Sequence, residues 1–350
     1  MSPVTVPRRA QRTTGRTPAR QRVLGLRLVI AVMIVGHLSG VRTASRELVR
    51  LEDADEAMGS MFSVVLYGPD RAKLEMAADA AFEEVHRLDR LLSNYKSDSE
   101  WSRVNREATS RPVVVSAELF DLLRACLEYG RQSDGAFDIT VGPLMRVWGF
   151  YKDDGRIPPE SAVAEALERV GFRHVRLDPD ARTVRFLRPG VELDPGGVGK
   201  GYAVDRMVDV LRKRGVAMAL VSAAGSSIYG LGAPPGEARG WHVPITAPAD
   251  PGRAVADVYL KDLSISTSGS YERFFWAEGR RYAHIIDPRT GHPARGVSSV
   301  SVLASHAVDS EAWTKPFFVN GPDWIPRHAP EILRVLFCGE TPHKSCRWVR

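Results

Sequence analysis

The hydrophobic positions of the chain follow a helical period in some segments and the pattern of a strand in others. Residues 61–67 are rich in β-branched and aromatic side chains, which predicts a β-strand. Over residues 70–92, apolar side chains recur every three or four positions, which predicts a long amphipathic helix. Its predicted buried face consists of Leu74, Ala77, Ala78, Ala81, Phe82, Val85, Leu88 and Leu92. The same period predicts helices over 116–133 and 158–170.

Short apolar runs separated by turn residues dominate the second half of the chain. The predicted strands are 175–177, 183–187, 217–223, 241–246, 255–260, 264–267, 282–286, 298–303 and 334–338. Helices are predicted over 202–214 and 309–319, and a shorter one begins at Ser97 or Asp98. Residues 135–150 are apolar but broken by Gly and Pro, which predicts a buried loop. This arrangement favours an α+β fold with a mainly antiparallel sheet.

The charge of the protein is concentrated at its N-terminus. The 350 residues carry a formal net charge of +6, which is typical of a nucleic-acid-binding protein. Residues 1–45, however, contain eight Arg and no acidic residue. Residues 46–350 therefore hold 40 basic and 42 acidic side chains. A nucleic-acid partner for this larger part loses its main support.

The first 45 residues have the composition of an export signal. A basic region covers 1–22, an apolar run covers 28–35, and small residues follow at 39–45. An uncleaved membrane anchor and a cytosolic basic tail remain alternatives. We expect an export signal or anchor over 1–45 and a catalytic domain over 46–350. The body would then be exported, either periplasmic or anchored to the inner membrane on its periplasmic side.

The cysteine pattern is consistent with either redox environment. Cys338 and Cys346 flank a turn and could pair in an exported protein, although two free thiols fit the spacing equally well. Cys126 lies in a helical apolar pattern and is expected in the core.

A glycine-rich segment carries the first candidate chemistry. Residues 194–205 place four glycines and Lys200 before a predicted helix, so backbone N–H groups and the helix N-terminus could bind a phosphate. Gly201 stands where a Walker A loop has Ser or Thr, which excludes that motif. A tight strand-to-helix turn without a ligand is the alternative.

Three further groups are candidates. His284 ends a predicted strand and precedes an Asp-Pro-Arg-Thr-Gly turn, which suits a general base near an anion, although a plain hairpin turn explains the spacing as well. Tyr95 and the 136–138 loop could stack on a flat ring or simply pack at the surface. The carboxylates at 309–311 either bind a hard cation or start a helix, with Asp309 or Ser310 as its N-cap.

Taken in order, these segments resemble the FAD:protein FMN transferase (ApbE) family. The resemblance covers roughly residues 57–321. It depends on Met58-Gly59-Ser60, Leu91-Leu92-Ser93-Asn94-Tyr95 with Asp98-Ser99-Glu100 and Asn105, the segment 135–144, Asp194 with residues 200–205, Ser268-Gly269-Ser270-Tyr271, and the segment 284–291.

The resemblance implies an exported, T-fold-like α+β enzyme. Such enzymes split FAD at its pyrophosphate, attach FMN to a Ser or Thr hydroxyl of an exported or membrane flavoprotein, and release AMP, with Mg²⁺ bridging the pyrophosphate. His284 corresponds to the base for the acceptor hydroxyl, and Gly197 to a backbone ligand of the metal. The residues expected to contact FAD are Met58, Tyr95, Ala136, Phe137, Asp138, Asp194, Lys200 and Ile285.

One position departs from the family pattern. Glu311 and Lys315 stand where the family has a metal-binding Asp and Thr, and an ammonium group offers no lone pair to a metal. Either the ion site shifts toward Asp309, or Lys315 supplies part of the ion's charge. A non-catalytic flavin-binding protein and a metal-dependent FAD pyrophosphatase that gives FMN and AMP are the alternative functions.

Overall fold

The computed structural model describes residues 48–151, 154–248, 250–328, 330, 333–340 and 346–350. The predicted export signal or anchor lies outside these residues. Among the helices that are described, none has the length and apolar character needed to cross a lipid bilayer.

The described residues form eight α-helices and fifteen β-strands. The helices are α1 Arg71–Leu92, α2 Glu100–Glu107, α3 Ala117–Gln132, α4 Gly142–Val147, α5 Glu160–Leu167, α6 Gly199–Lys213, α7 Ala307–Asn320 and α8 Ile325–His328. The strands are β1 Val49–Ala57, β2 Ser60–Gly68, β3 Val113–Val114, β4 Val175–Asp178, β5 Thr183–Phe186, β6 Met218–Ala223, β7 Ser227–Leu231, β8 Trp241–Ala247, β9 Asp250–Leu260, β10 Leu263–Gly269, β11 Phe274–Ala277, β12 Arg280–Ala283, β13 Val297–Ala304, β14 Arg334–Gly339 and β15 Cys346–Trp348.

A central antiparallel sheet organises the fold. Its strand order is β1-β2-β6-β7-β10-β13-β14-β15, and every neighbouring pair is antiparallel. Alternate residues of a strand point to opposite faces. On β2, Phe62, Val64 and Leu66 pack with α1 and α6, whereas Val65 and Tyr67 face the β8–β9 hairpin. Helices and hairpin therefore cover the two faces, and the predicted α+β class is confirmed.

Two smaller layers flank this sheet and frame one end of it. Helices α2 and α3 pack with β3, β4 and β5 around Trp101 and Leu123. Helices α4 and α5 pack against the β11–β12 hairpin around Trp148 and Phe275. The loops between these layers meet the N-terminus of α6. Strand β14 also pairs with β15, and a disulfide joins Cys338 to Cys346 across them.

The structure corrects several predicted element boundaries. Part of the predicted loop 135–150 is helical, since α4 occupies 142–147 with Pro143 in its first turn. The N-cap of α2 is Ser99, whose hydroxyl accepts from the Ser102 N–H at 2.9 Å, rather than Ser97 or Asp98. The helix predicted over 158–170 is shorter, and strands β1, β3, β7, β11 and β15 were not predicted.

Helix α7 also begins differently from the prediction. It starts after His306, so neither Asp309 nor Ser310 is its N-cap. Instead the Asp205 carboxylate of α6 accepts from the N–H groups of Ala307 and Val308, at 2.7 and 2.9 Å. Long-range capping of this kind fixes α7 to α6.

Candidate active site

The glycine-rich segment forms a short 3₁₀ turn that leads into α6. The Asp194 side chain accepts from the Gly196 N–H at 2.6 Å and from the Tyr151 hydroxyl. Burial raises the pKa of the Asp194 carboxyl. Helix α6 begins at Gly199, three residues before the predicted start, so Lys200 lies in its first turn. The free N–H groups of that turn give the site a partial positive charge.

The close approach of α6 and α7 depends on a glycine. A Cβ atom placed on Gly201 would lie 2.2 Å from the Ala307 carbonyl oxygen, so only glycine fits there. The Gly201 N–H donates to Glu311 Oε2 at 2.6 Å. This contact aligns the Glu311–Lys315 turn of α7 with the first turn of α6.

Lys315 extends from α7 toward the glycine-rich turn. A Cβ atom on Gly197 would lie 3.9 Å from Lys315 Cε and 3.0 Å from the Phe137 ring. The Lys315 ammonium donates to the Glu311 carbonyl oxygen at 3.0 Å and lies 3.9 Å from Glu311 Oε1. Burial lowers the pKa of Lys315 to about 8; Glu311 opposes this shift and the charge of Lys200 adds to it. The charge of the Lys200 ammonium therefore acts on the Lys315 ammonium.

His284 directly follows β12, and the charges of Lys200 and Lys315 act on its ring. Its Nδ1 donates to the Arg273 carbonyl oxygen at 3.0 Å, which leaves Nε2 as a free acceptor in the neutral ring. Burial lowers the pKa of His284 to about 3; the bond to the carbonyl opposes this, and the charges of Arg273, Lys315 and Lys200 contribute to it. His284 is therefore neutral at physiological pH, and its Nε2 lone pair is available as a hydrogen-bond acceptor.

The loop before α4 is held by its own hydrogen bonds. The Ser133 hydroxyl accepts from the Phe137 N–H at 2.9 Å. The Asp138 carboxylate is buried and accepts from Thr140 N–H and hydroxyl, at 2.8 and 2.6 Å, and from Phe172 N–H. Ala136 and Phe137 are buried beside it. The Asp138 oxygens thus fix the loop, and Phe137 forms a wall near Gly197.

An exposed aromatic stands at the entrance. Tyr95 is 74% exposed, and its ring meets Tyr151 edge-on with 6.4 Å between centroids. Met58 has a positive φ of 52° in the β1–β2 turn, and its Cε would lie 3.3 Å from a Cβ on Gly199. Ile285 is buried directly after His284. Tyr95 is thus connected to the Asp194 turn through Tyr151, and Met58 borders the start of α6.

The residues predicted to bind Mg²⁺ do not fit a divalent cation. In the part of the chain that the structure describes, no three His, Cys, Asp or Glu side chains form a metal-binding group. Glu311 Oε2 is taken by the Gly201 N–H, and its other oxygens face an ammonium group. Asp309, the predicted substitute, accepts from the Tyr129 hydroxyl instead.

Sequence reasoning did not assign the positioning roles of three residues of this region. Tyr151, Arg273 and Asp205 position Asp194, His284 and α7 through contacts that span 43, 11 and 102 residues, respectively. A tyrosine at the end of an apolar run is a weak signal for Tyr151, since its hydroxyl requires a buried partner. Arg289 of the Asp-Pro-Arg-Thr-Gly turn does not face the cationic group, because it pairs with Asp287 and Asn320, both at 2.8 Å.

Comparisons with known proteins identify the family. The ApbE family model matches residues 58–337, and the chain belongs to that family. It is 36% identical over 276 residues to a FAD:protein FMN transferase of Klebsiella pneumoniae, covering 77% of this chain and 78% of that protein. A Treponema pallidum protein of the same name is 35% identical, with 84% of both chains covered.

Solved structures show the same fold. The ApbE protein of Thermotoga maritima superposes with a TM-score of 0.79 at 30% identity, covering 86% of this chain and 97% of that one. The flavinyl transferase ApbE of Pseudomonas stutzeri gives 0.76 at 26% identity, covering 86% and 95%. The ApbE-like architecture predicted from the sequence is therefore confirmed.

Proposed function

We propose that this protein is an FAD:protein FMN transferase. The observation that carries the proposal is the free Nε2 of a neutral His284 beside the ammonium groups of Lys200 and Lys315. The positive charges of Lys200 and Lys315 both contribute to the lowered pKa of His284. The names of the relatives support the same activity, since they are transferases that use FAD.

The chemistry requires one base and one site for negative charge. A Ser or Thr hydroxyl of the acceptor attacks the FMN phosphorus of FAD, and His284 Nε2 takes the hydroxyl proton. A new P–O bond to the acceptor forms as the P–O bond of the anhydride breaks, and AMP leaves with the bridging oxygen. Lys200, Lys315 and the N-terminus of α6 stabilise the charge on the phosphoryl oxygens.

The remaining predicted contacts have roles consistent with this reaction. Tyr95 is exposed beside the site and offers an aromatic face to the isoalloxazine ring. Met58 and Phe137 border the glycine-rich turn from two sides. Mg²⁺ is expected from the family resemblance, but no step above uses it, because the residues present do not fit it.

We also propose that the enzyme works outside the cytoplasm on an exported or membrane flavoprotein. The Arg-rich leader followed by an apolar run supports export. The Cys338–Cys346 disulfide supports an oxidising compartment. N-terminal sequencing of the mature protein tests this directly, since a start near residue 46 supports a cleaved signal, and an intact N-terminus in membranes supports an anchor.

The transfer itself is tested with the purified full chain, FAD and the membrane and exported proteins of its own cells. We expect flavin fluorescence that survives a denaturing gel, with one AMP released per FMN attached. Free FMN and AMP without labelled protein would support the pyrophosphatase alternative. Intact bound FAD without AMP would support the flavin-binding alternative and contradict the enzyme.

A further inference from the structure

We propose that Lys315 binds the pyrophosphate of FAD in the position of a divalent cation, so that FAD binds without a metal ion. The inference deepens the proposed function and depends on FAD being the ligand. It starts from the contact between α6 and α7, where Lys315 occupies the position of the family's metal-binding Thr and carries an ammonium group in place of a hydroxyl.

The position of Lys315 is fixed by its surroundings. Its side chain is 21% exposed and lies between the Glu311 carbonyl oxygen, at 3.0 Å, and the glycine-rich turn around Gly197. Glu311 is itself held by the Gly201 N–H at 2.6 Å. The ammonium is therefore aimed at the start of α6, where phosphate oxygens would meet the free N–H groups.

The hydrogen bonds of Lys315 are incomplete. An ammonium group has three donors, and one is used by the Glu311 carbonyl. The Glu311 carboxylate lies at 3.9 Å, which is an ion-pair distance but too long for a hydrogen bond. Partly buried donors without partners are unfavourable, so Lys315 is prepared for an additional acceptor.

The charge of the site is also unbalanced. The Lys200 ammonium forms neither a hydrogen bond nor an ion pair within the described ranges of the chain, and its charge acts on Lys315. Glu311 is the acidic group whose charge acts on Lys315, and the charge of Lys200 opposes it there. The pyrophosphate of FAD carries two negative charges at neutral pH, which matches the two cations of Lys200 and Lys315.

A divalent cation at this place would meet an existing cation. Protonated Lys315 has no lone pair to offer a metal, and it lies against the oxygens of Glu311 that a metal would need. Lys315 therefore supplies a positive charge to the phosphates by itself. It acts through hydrogen bonds from a point charge on a flexible stem.

The test measures FAD binding to the full-length protein by quenching of flavin fluorescence, in EDTA and in millimolar Mg²⁺. Riboflavin, which has the ring and no phosphate, is titrated in parallel. The variants are K315M, K200M and K315T. K213M is the control, because Lys213 is an exposed lysine at the other end of α6.

We expect the wild-type dissociation constant for FAD to change less than twofold between EDTA and Mg²⁺. K315M and K200M each weaken FAD at least 30-fold while riboflavin binding changes less than twofold, which also shows that the variants fold. K213M behaves as the wild type. K315T binds FAD weakly in EDTA and recovers at least tenfold in Mg²⁺, because a hydroxyl can ligate the ion.

Three results would overturn the proposal: a wild-type affinity for FAD that falls more than tenfold in EDTA, a K315M protein that binds FAD as tightly as the wild type, or a K315T protein that does not respond to Mg²⁺. The proposed function fails separately. A wild type that binds FAD through Lys315 in EDTA but never labels an acceptor retains this inference and loses the transfer. A wild type that labels an acceptor but binds FAD more than tenfold more weakly in EDTA than in Mg²⁺ does the reverse.

Discussion

The contact between α6 and α7 holds two charged groups with opposite hydrogen-bonding states. At one end, the Asp205 carboxylate accepts from two backbone N–H groups, at 2.7 and 2.9 Å. At the other end, Lys315 donates to one carbonyl oxygen and keeps two donors without a described partner. Both side chains are largely withdrawn from solvent, and both shift in pKa mainly because of burial.

The difference separates structural charges from functional ones. A charge whose hydrogen bonds are complete within the protein has no capacity left for a ligand, and its removal leaves backbone donors without partners. A charge with spare donors lowers its free energy by binding an anion. His284 combines both states, since Nδ1 is bonded to Arg273 and Nε2 is free. Substitution of Asp205 should therefore change the free energy of unfolding, whereas substitution of Lys315 should change the affinity for FAD.

The largest effect is expected from His284→Ala. Loss of the free Nε2 removes the base, and we expect transfer to fall roughly 10²–10⁴-fold. FAD affinity should stay near the wild-type value, because it does not depend on Nε2, whereas the melting temperature should fall slightly because the bond from Nδ1 to the Arg273 carbonyl is lost as well. Single-turnover labelling of the acceptor and fluorescence titration with FAD measure the two quantities.

His292→Ala is the matched control, because His292 lies eight residues further on and packs edge-on against Trp148 instead. It should retain transfer. A His284→Ala protein that transfers FMN at the wild-type rate would remove His284 from the reaction. One that loses FAD affinity as strongly as activity would make it a binding residue.

Asp205→Ala should lower the stability of the protein and leave FAD binding nearly unchanged, in contrast to His284→Ala, whose main effect is on transfer. Two N–H groups at the start of α7 lose their acceptor, and we expect the free energy of unfolding to fall by about 2–4 kcal/mol. Urea unfolding measures this loss. The FAD affinity of the folded fraction should change less than threefold, since Lys315 lies about two turns further along α7. An unchanged stability would show that the complete hydrogen bonds of Asp205 do not hold α7 in place.

Sequence patterns predicted the elements whose burial is local. The period of α1 identified all eight of its buried positions, from Leu74 to Leu92, because one face of that helix packs on the sheet. The start of α6 was placed too late, because glycines disfavour a helix and only the contact of Gly201 with Ala307 requires them there. Tertiary packing overrode propensity at that point.

The site was predictable where function requires a particular residue type. Lys200, Lys315 and His284 were named from the sequence, and the structure brings their charges within mutual influence. The residues that support them were missed, because Tyr151 meets Asp194, and Asp205 meets Ala307, across long stretches of chain. No local pattern encodes such pairs.

The smallest effect concerns the pH dependence of stability. Burial raises the pKa of Asp205 to about 6 from 3.8. The folded state therefore holds this proton more tightly than the unfolded state, so its contribution to stability falls as pH rises between about 4 and 6. A shift of that size corresponds to at most about 3 kcal/mol, and partial exposure reduces the expected change to about 1–2 kcal/mol.

The measurement compares wild type with Asp205→Asn by urea unfolding at several pH values between 4.5 and 7.5. Asn keeps an acceptor for α7 but does not titrate, so all other groups cancel in the difference between the two proteins. We expect the stability advantage of the wild type over the variant to shrink as pH rises and to level off above pH 6.5. A constant difference would show that the Asp205 carboxyl has the same pKa in the folded protein as in the unfolded chain. The contrast with Lys315 would then depend on hydrogen bonds alone.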